Sequence, residues 1–169
     1  MSGMGRGLAA AGLVAALAPS GLSQESPDVQ HQAAYCTVPD RPIRLCAVIT
    51  DDGEVVKARA HFRAEGREHF SIVEMELLED QYCATLPAPR AGRTKAVEYY
   101  IQAIDDDYLP QRTVPFLLEL QEPEVCGFPP VEYDSARAAS ITVLATHRRQ
   151  GDELDDRFVS TGVRFVPKR

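Results

Sequence analysis

Apolar and polar residues alternate along the middle of the chain with the period of two that is typical of β-strands. The alternation is clear between residues 55 and 63. One face of this segment carries apolar side chains, namely Val56, Ala58, Ala60 and Phe62. The other face carries basic side chains, namely Lys57, Arg59, His61 and Arg63. The pattern predicts a strand with one face in the core and the other in water.

Several such segments follow one another, separated by turn residues at intervals of about eight to twelve residues. We predict strands over residues 43–50, 55–63, 69–75, 94–104 and 113–120, and a further strand that follows residues 77–80 and stops at Pro87. In the last segment the alternation places four side chains in the core: Val114, Phe116, Leu118 and Leu120. No convincing amphipathic helix interrupts the series, so the pattern favours antiparallel sheets that pack face to face.

The N-terminal part of the chain differs from this middle part. Residues 1–23 combine Arg6, an uncharged apolar run and small residues before Gln24, which together predict a cleaved secretory signal peptide. The alternative is a disordered, Ala-rich extension on a cytosolic protein. Residues 24–38 are polar and without periodicity, so we predict a flexible lead-in before a sandwich domain over residues 39–122.

The C-terminal residues 123–169 carry two further strand patterns, over residues 140–146 and 162–166, with a charged loop between them. A segment of about forty residues cannot bury a separate core. We therefore expect these strands to pair with each other and to dock on an edge of the sandwich, as a short β extension. A detached, partly disordered tail is the alternative.

Composition narrows the location and the partners. The chain has 18 Lys+Arg and 25 Asp+Glu, and its net charge of -7 disfavours nucleic acid and anionic lipid surfaces as partners. No second long apolar run follows the signal segment, so no membrane span is expected in the mature chain. Four cysteines without a CxxC pair indicate two disulfides with three possible connectivities, and hence a periplasmic or secreted protein.

Candidate catalytic groups are scattered along the chain. His61 and His69 are the histidines most able to approach each other, either as a metal-binding pair or as ordinary surface side chains. The serines at positions 71, 135 and 140 lack the glycine frame of a nucleophile elbow, and no glycine-rich phosphate loop is present. We therefore expect a protein that is not an enzyme and that needs no cofactor.

The run VEYYIQAID over residues 97–105 resembles the sixth strand of fibronectin type III and related bacterial Ig-like domains. Residues 82–87 (YCATLP) are similar to the strand that precedes it in those domains. The resemblance covers residues 39–120 and implies an all-β, antiparallel Ig-like or fibronectin III-like sandwich. This chain departs from the family in lacking Trp and in having Asp106-Asp107-Tyr108 where a glycine often follows the Asp105 position.

The resemblance also implies a pairing of the cysteines. The predicted segments correspond to strands B, C, C', E, F and G, of which B and E are neighbours. Cys46 and Cys83 would then form a bridge between these two strands. The remaining cysteines, Cys36 and Cys126, flank the sandwich at its two chain ends and would form the second bridge.

In the Ig-like wiring the B–C, C'–E and F–G loops emerge at one end of the sandwich, and here they carry many carboxylates. The opposite end receives basic residues, namely Arg63, Arg67, Arg90, Arg93 and Lys95. Hard cations bind clusters of oxygen ligands, so Asp51, Asp52, Asp105 and Asp107 form a hypothetical Ca²⁺ site. Exposed turns also favour Asp for conformational reasons alone, which is the alternative.

These observations favour a secreted or periplasmic, non-catalytic Ig-like module for protein interaction or structural spacing, with a protein partner in the envelope or the extracellular space. The alternative is a carbohydrate-binding or enzyme-accessory domain. That class needs aromatic platforms for stacking sugars, and this chain offers Tyr100, Tyr108 and Tyr133 as candidates.

Overall fold

A computed structural model describes residues 25–126 and 141–168 of the chain. These residues form β-strands and turns, with no helix among them. The strands are β1 (Asp28–Gln30), β2 (Cys36–Thr37), β3 (Ile43–Thr50), β4 (Val55–Ala64), β5 (Ser71–Glu74), β6 (Glu76–Leu78), β7 (Gln81–Leu86), β8 (Ala96–Asp105), β9 (Pro110–Arg112), β10 (Phe116–Leu120), β11 (Ile141–Ala145) and β12 (Val163–Val166). The predicted all-β class is confirmed. In the described ranges, no helix has the length and apolar character required to cross a membrane.

The strands form two sheets that face each other across one apolar cluster. The smaller sheet has the order β1-β3-β7-β6, and the larger has the order β12-β11-β5-β4-β8-β10-β2, with β9 paired to β8. The core includes alternate residues of β3 and β7 on one side and of β4 and β8 on the other. Tyr99 and Phe62 are among its largest fully buried side chains. Burial of these alternate side chains is what holds the two layers together.

Two side chains predicted to enter the core lie outside it. Val56 is 50% exposed because the register of β4 against β8 shifts between Val55 and Lys57. Such an irregularity breaks the alternation of faces along a strand. Val114 is 72% exposed because β10 begins only at Phe116. Both corrections concern the ends of strands, where the ladder no longer dictates which way a side chain points.

Residues 24–38, predicted to be a flexible lead-in, instead contribute two short strands. β1 pairs antiparallel with β3 at the edge of the smaller sheet. β2 pairs parallel with β10 at the edge of the larger sheet, and the second disulfide anchors it through Cys36. The prediction was wrong because strands of two or three residues are too short to show a period of two.

The C-terminal strands are part of the larger sheet. β11 pairs antiparallel with β5, and β12 pairs parallel with β11. In the loop between them, Phe158 is 2% exposed and packs edge to face against Phe62, with 5.1 Å between the ring centroids. The extension therefore docks on the sandwich, as expected, and also contributes a side chain to its core.

Both disulfides join the cysteines that the resemblance paired. Cys46 and Cys83 lie directly opposite each other on β3 and β7. Cys36 bonds Cys126, with 5.9 Å between the Cα atoms and a sequence separation of 90 residues. The predicted signal peptide, residues 1–23, lies outside the described residues.

Candidate functional site

The acidic loops at one end of the sandwich were the predicted metal site, and the structure brings two of them into contact. The backbone N–H of Glu54 donates to Asp106 Oδ1 at 3.3 Å, which joins the β3–β4 and β8–β9 turns. The N–H of Gly53 donates to Asp51 Oδ2 at 3.0 Å. A Cβ at Gly53 would lie only 2.5 Å from Asp106 Oδ1, so any other residue there would displace the Asp106 side chain.

The four predicted Ca²⁺ ligands are not brought together as one set. Asp105 is 1% exposed, and its Oδ1 accepts a hydrogen bond from Leu109 N at 2.7 Å. Asp52 and Asp107 are exposed to solvent. Within residues 25–126 and 141–168, no three His, Cys, Asp or Glu side chains are grouped as metal ligands. The alternation along β8 already places Asp105 on the buried face with Tyr99, which was a signal against using it as a surface ligand.

The outer face of the larger sheet carries an aromatic and cationic cluster that the sequence analysis missed. His61 stacks on Tyr100 with 4.4 Å between centroids, and Phe70 meets Tyr100 edge to face at 5.1 Å. Arg63 lies over the Phe70 ring at 4.2 Å and pairs with Glu98 at 2.7 Å. These contacts shield the face that was predicted to lie in water.

The shielding changes the chemistry of His61, which is only 7% exposed. Its Nε2 lies 3.0 Å from Gln102 Oε1. Burial disfavours the charged imidazolium and lowers the pKa of His61 to about 4, although the hydrogen bond to Gln102 opposes this effect. The metal-pair hypothesis required His61 and His69 to approach each other, and the structure does not bring them together. His69 instead stacks on His147, with 4.4 Å between ring centroids.

The tyrosines that were candidates for stacking sugars differ in the exposure of their rings. Tyr100 is covered by His61 and Phe70, so its ring is not free for stacking. Tyr108 is 80% exposed and has a φ of 63° in the β8–β9 turn, at a position where glycine would be unstrained. Tyr133 lies outside the described part of the chain. Of the candidate tyrosines that the structure describes, Tyr108 is thus the one with an exposed ring.

The basic end of the sandwich is covered by the loop before Phe158. Arg67 pairs with Asp155 and lies 3.9 Å from Asp156. Burial opposes the ionisation of Asp155, but the hydrogen bonds from Arg67 and from the Arg157 N–H outweigh it and lower the pKa of Asp155. This end of the domain therefore carries less uncompensated positive charge than its arginine content suggests.

An open groove of about 800 Å³ runs beside β3 and is partly walled by His31. His31 Nδ1 donates to the Cys46 carbonyl at 2.7 Å, and its Nε2 accepts from the Tyr99 hydroxyl at 2.8 Å. Burial lowers the pKa of His31, which keeps the imidazole in the neutral form that this pair of bonds needs. Since both ring nitrogens are engaged, His31 ties the two sheets together and has no nitrogen free to act on a ligand.

β12 is the outermost strand of the larger sheet among the described residues. It ends the strand order and pairs only with β11 among the described strands. Val163 and Phe165 pack against the core, while Arg164 and Val166 are exposed. The other strands that pair on one side only are β1, β2, β6 and β9, and each has three residues or fewer. β12 is therefore the longest edge in the described part of the molecule.

No protein family is described by a model that matches this chain, and comparisons with curated proteins and with solved structures gave no match.

Proposed function

We propose that this chain is a non-catalytic, Ig-like module of the periplasm or the extracellular space, and that it binds another protein through the edge of β12. The strand orders support the Ig-like part of the proposal. In the smaller sheet, β1-β3-β7-β6 corresponds to the A-B-E-D order of Ig-like domains. In the larger sheet, β5-β4-β8-β10 corresponds to C'-C-F-G, and β11 and β12 extend it.

Two disulfides support the location. Reduced glutathione and thioredoxin keep cytosolic thiols reduced, whereas bridges persist in the periplasm and outside the cell. Cys36–Cys126 and Cys46–Cys83 are thus consistent with an oxidising, extracytoplasmic compartment.

The observation that carries the interaction is that, in residues 25–126 and 141–168, β12 has a strand partner on one side only. A strand at the end of a sheet presents backbone N–H and C=O groups that an extended segment of another chain can pair with. In such strand addition, main-chain hydrogen bonds supply affinity and alternate side chains supply specificity. The side chains beside this edge would be Arg164 and Val166, which point away from the core.

The charge of the edge indicates the chemistry of the partner. Arg164 and the nearby Lys168 form no ion pair with a carboxylate in residues 25–126 and 141–168. Opposite charges across an interface favour encounter and select the partner. We therefore propose an extended, acidic segment of an envelope or extracellular protein as the ligand of β12.

The test compares the wild-type protein with an edge variant and a matched control. R164E/V166E places two carboxylates at the β12 edge, which would repel an acidic segment. L77E adds a carboxylate to β6, an edge strand of the other sheet whose Leu77 is also exposed. Each purified protein is used to capture partners from envelope extracts, and bound proteins are quantified by mass spectrometry after crosslinking.

We expect at least one protein that is bound by the wild type and by L77E, is lost with R164E/V166E, and is crosslinked at β12 through an acidic segment. Capture that is equal for all three proteins, or no capture, would contradict binding through this edge. Thermal unfolding of each variant checks that the sandwich is intact.

A further inference from the structure

Two histidines meet on the surface where β5 and β11 pair. Ala145 of β11 lies opposite Ser71 of β5 in an antiparallel register. His147 and His69 follow two residues beyond this pair, outside the strands, and their rings are in contact. The imidazole rings lie 4.4 Å apart between centroids and are parallel to within 7°. Both histidines lie two residues beyond the ends of these strands, where the two chains leave the ladder side by side.

The pair is open to solvent, unlike the two other histidines in the described chain. His147 is exposed and His69 is half-buried, whereas His31 and His61 are held inside packed surroundings. A carboxylate stands beside the pair, since Glu68 Oε2 lies 3.9 Å from His69 Nε2. Neither histidine is needed for the core or for the interaction edge.

We propose that His69 and His147 form a surface site for a divalent transition metal of intermediate softness, such as Zn²⁺. Imidazole nitrogen is a preferred ligand of Zn²⁺, Cu²⁺ and Ni²⁺. Tetrahedral Zn²⁺ with bonds of about 2.0–2.1 Å holds two nitrogens about 3.4 Å apart. The rings now stack face to face with 4.4 Å between centroids, so binding requires them to turn about their side-chain bonds until one nitrogen of each faces the metal.

The hydrogen bonding of His147 is compatible with this role at a small cost. Its Nδ1 accepts a long contact of 3.4 Å from the backbone N–H of Arg149. Coordination through Nε2 moves the ring proton of His147 to Nδ1. The contact from the Arg149 N–H is then lost, and water can take its place because this loop is exposed. No proton leaves the neutral imidazole in this step. Water molecules would fill the remaining coordination positions.

Nearby cations oppose metal binding and provide the control. Arg148 and Arg149 follow His147, and Lys168 Nζ reaches the Thr146 carbonyl at 3.5 Å. Their positive potential lowers the affinity for any divalent cation. Removal of one of them without loss of an imidazole should therefore leave binding intact or strengthen it.

The test is calorimetric titration of the untagged protein with ZnCl₂ near neutral pH, for the wild type and for H69N, H147N and R148Q. We expect one Zn²⁺ per chain, an affinity at least about tenfold weaker in each histidine variant, and an unchanged or tighter affinity in R148Q. Titration with CaCl₂ separates this site from the acidic loops, because Ca²⁺ prefers oxygen ligands. Unfolding curves without metal show whether each variant is folded.

Long-range ¹H–¹⁵N NMR of the wild type gives a readout that does not depend on any variant. Zn²⁺ should shift the imidazole nitrogens of His69 and His147 and leave those of His31 and His61 in place. The proposal is overturned by an absence of heat up to about 1 mM Zn²⁺, by wild-type affinity in H147N, or by nitrogen shifts elsewhere. None of these results bears on β12, so the two proposals fail separately.

Discussion

Replacement of Phe158 with Ala tests whether the C-terminal extension is an integral part of the sandwich. Phe158 lies in the loop between β11 and β12, yet it is almost completely buried against Phe62. Truncation of a buried Phe to Ala costs about 3–5 kcal/mol, through lost apolar burial and the cavity left behind. Loss of the edge-to-face ring pair is included in that cost and accounts for about 1 kcal/mol of it.

The surrounding loop limits how far this cavity can close. The Arg90 N–H donates to the Arg157 carbonyl at 2.7 Å, and the Val159 N–H donates to the Ala88 carbonyl at 2.8 Å. These two bonds hold the backbone on either side of Phe158 against the β7–β8 loop. We therefore expect F158A to lose about 4 kcal/mol, near the middle of the usual range. That is a large part of the total stability of an ordinary domain, which is about 5–15 kcal/mol.

The measurement is urea unfolding with the disulfides intact, followed by tyrosine fluorescence because the chain has no Trp. V166A is the matched control in the same extension, since Val166 is exposed and its truncation should cost less than about 0.5 kcal/mol. A loss below about 1 kcal/mol in F158A, with an unchanged denaturant slope, would refute the docking of this loop.

Two further predictions concern acid stability and the long disulfide. Because the pKa of His61 is lowered from 6.5 to about 4, the unfolded chain binds a proton that the folded one does not. The free energy of unfolding should therefore fall as the pH is lowered from 6.5 to 4, by up to about 3 kcal/mol. Urea unfolding across this pH range should show a smaller fall in H61Q than in the wild type. Equal pH profiles of the two proteins would contradict the assignment of this effect to His61. Removal of the Cys36–Cys126 bridge in C36A/C126A should lower the free energy of unfolding by about 4 kcal/mol, because the bridge closes a loop with a sequence separation of 90. An unchanged urea midpoint would contradict this and would show that the native contacts alone hold β2 in place.

The faces of the long strands could be predicted from the sequence because alternation is a local property of extended chain. Along β8, Val97, Tyr99, Ile101 and Ala103 are all buried, as their spacing indicates. The same rule was applied too far at Val56, where the irregularity in β4 leaves no mark in the order of apolar and polar residues.

The candidate sites were harder to predict because each depends on segments that are distant in sequence. His61 was assigned to water by its strand, but Tyr100 on β8 and Gln102 beside it enclose the ring. His69 was considered with His61 across a hairpin, whereas its partner is His147, which lies just after β11 in the C-terminal extension. No local sequence pattern predicts either contact.

By itself, the sequence determined the class of structure. It contains extended segments with one apolar face, and these faces must pack against one another because burial removes them from water. It also contains four cysteines, which suit two disulfides. The tertiary structure alone decided that short polar segments become edge strands, that Phe158 fills the end of the core, and which histidines meet. The physical reason is that the local strand decides to which face of the sheet a side chain points. Which residues that side chain contacts depends on how all the strands pack together.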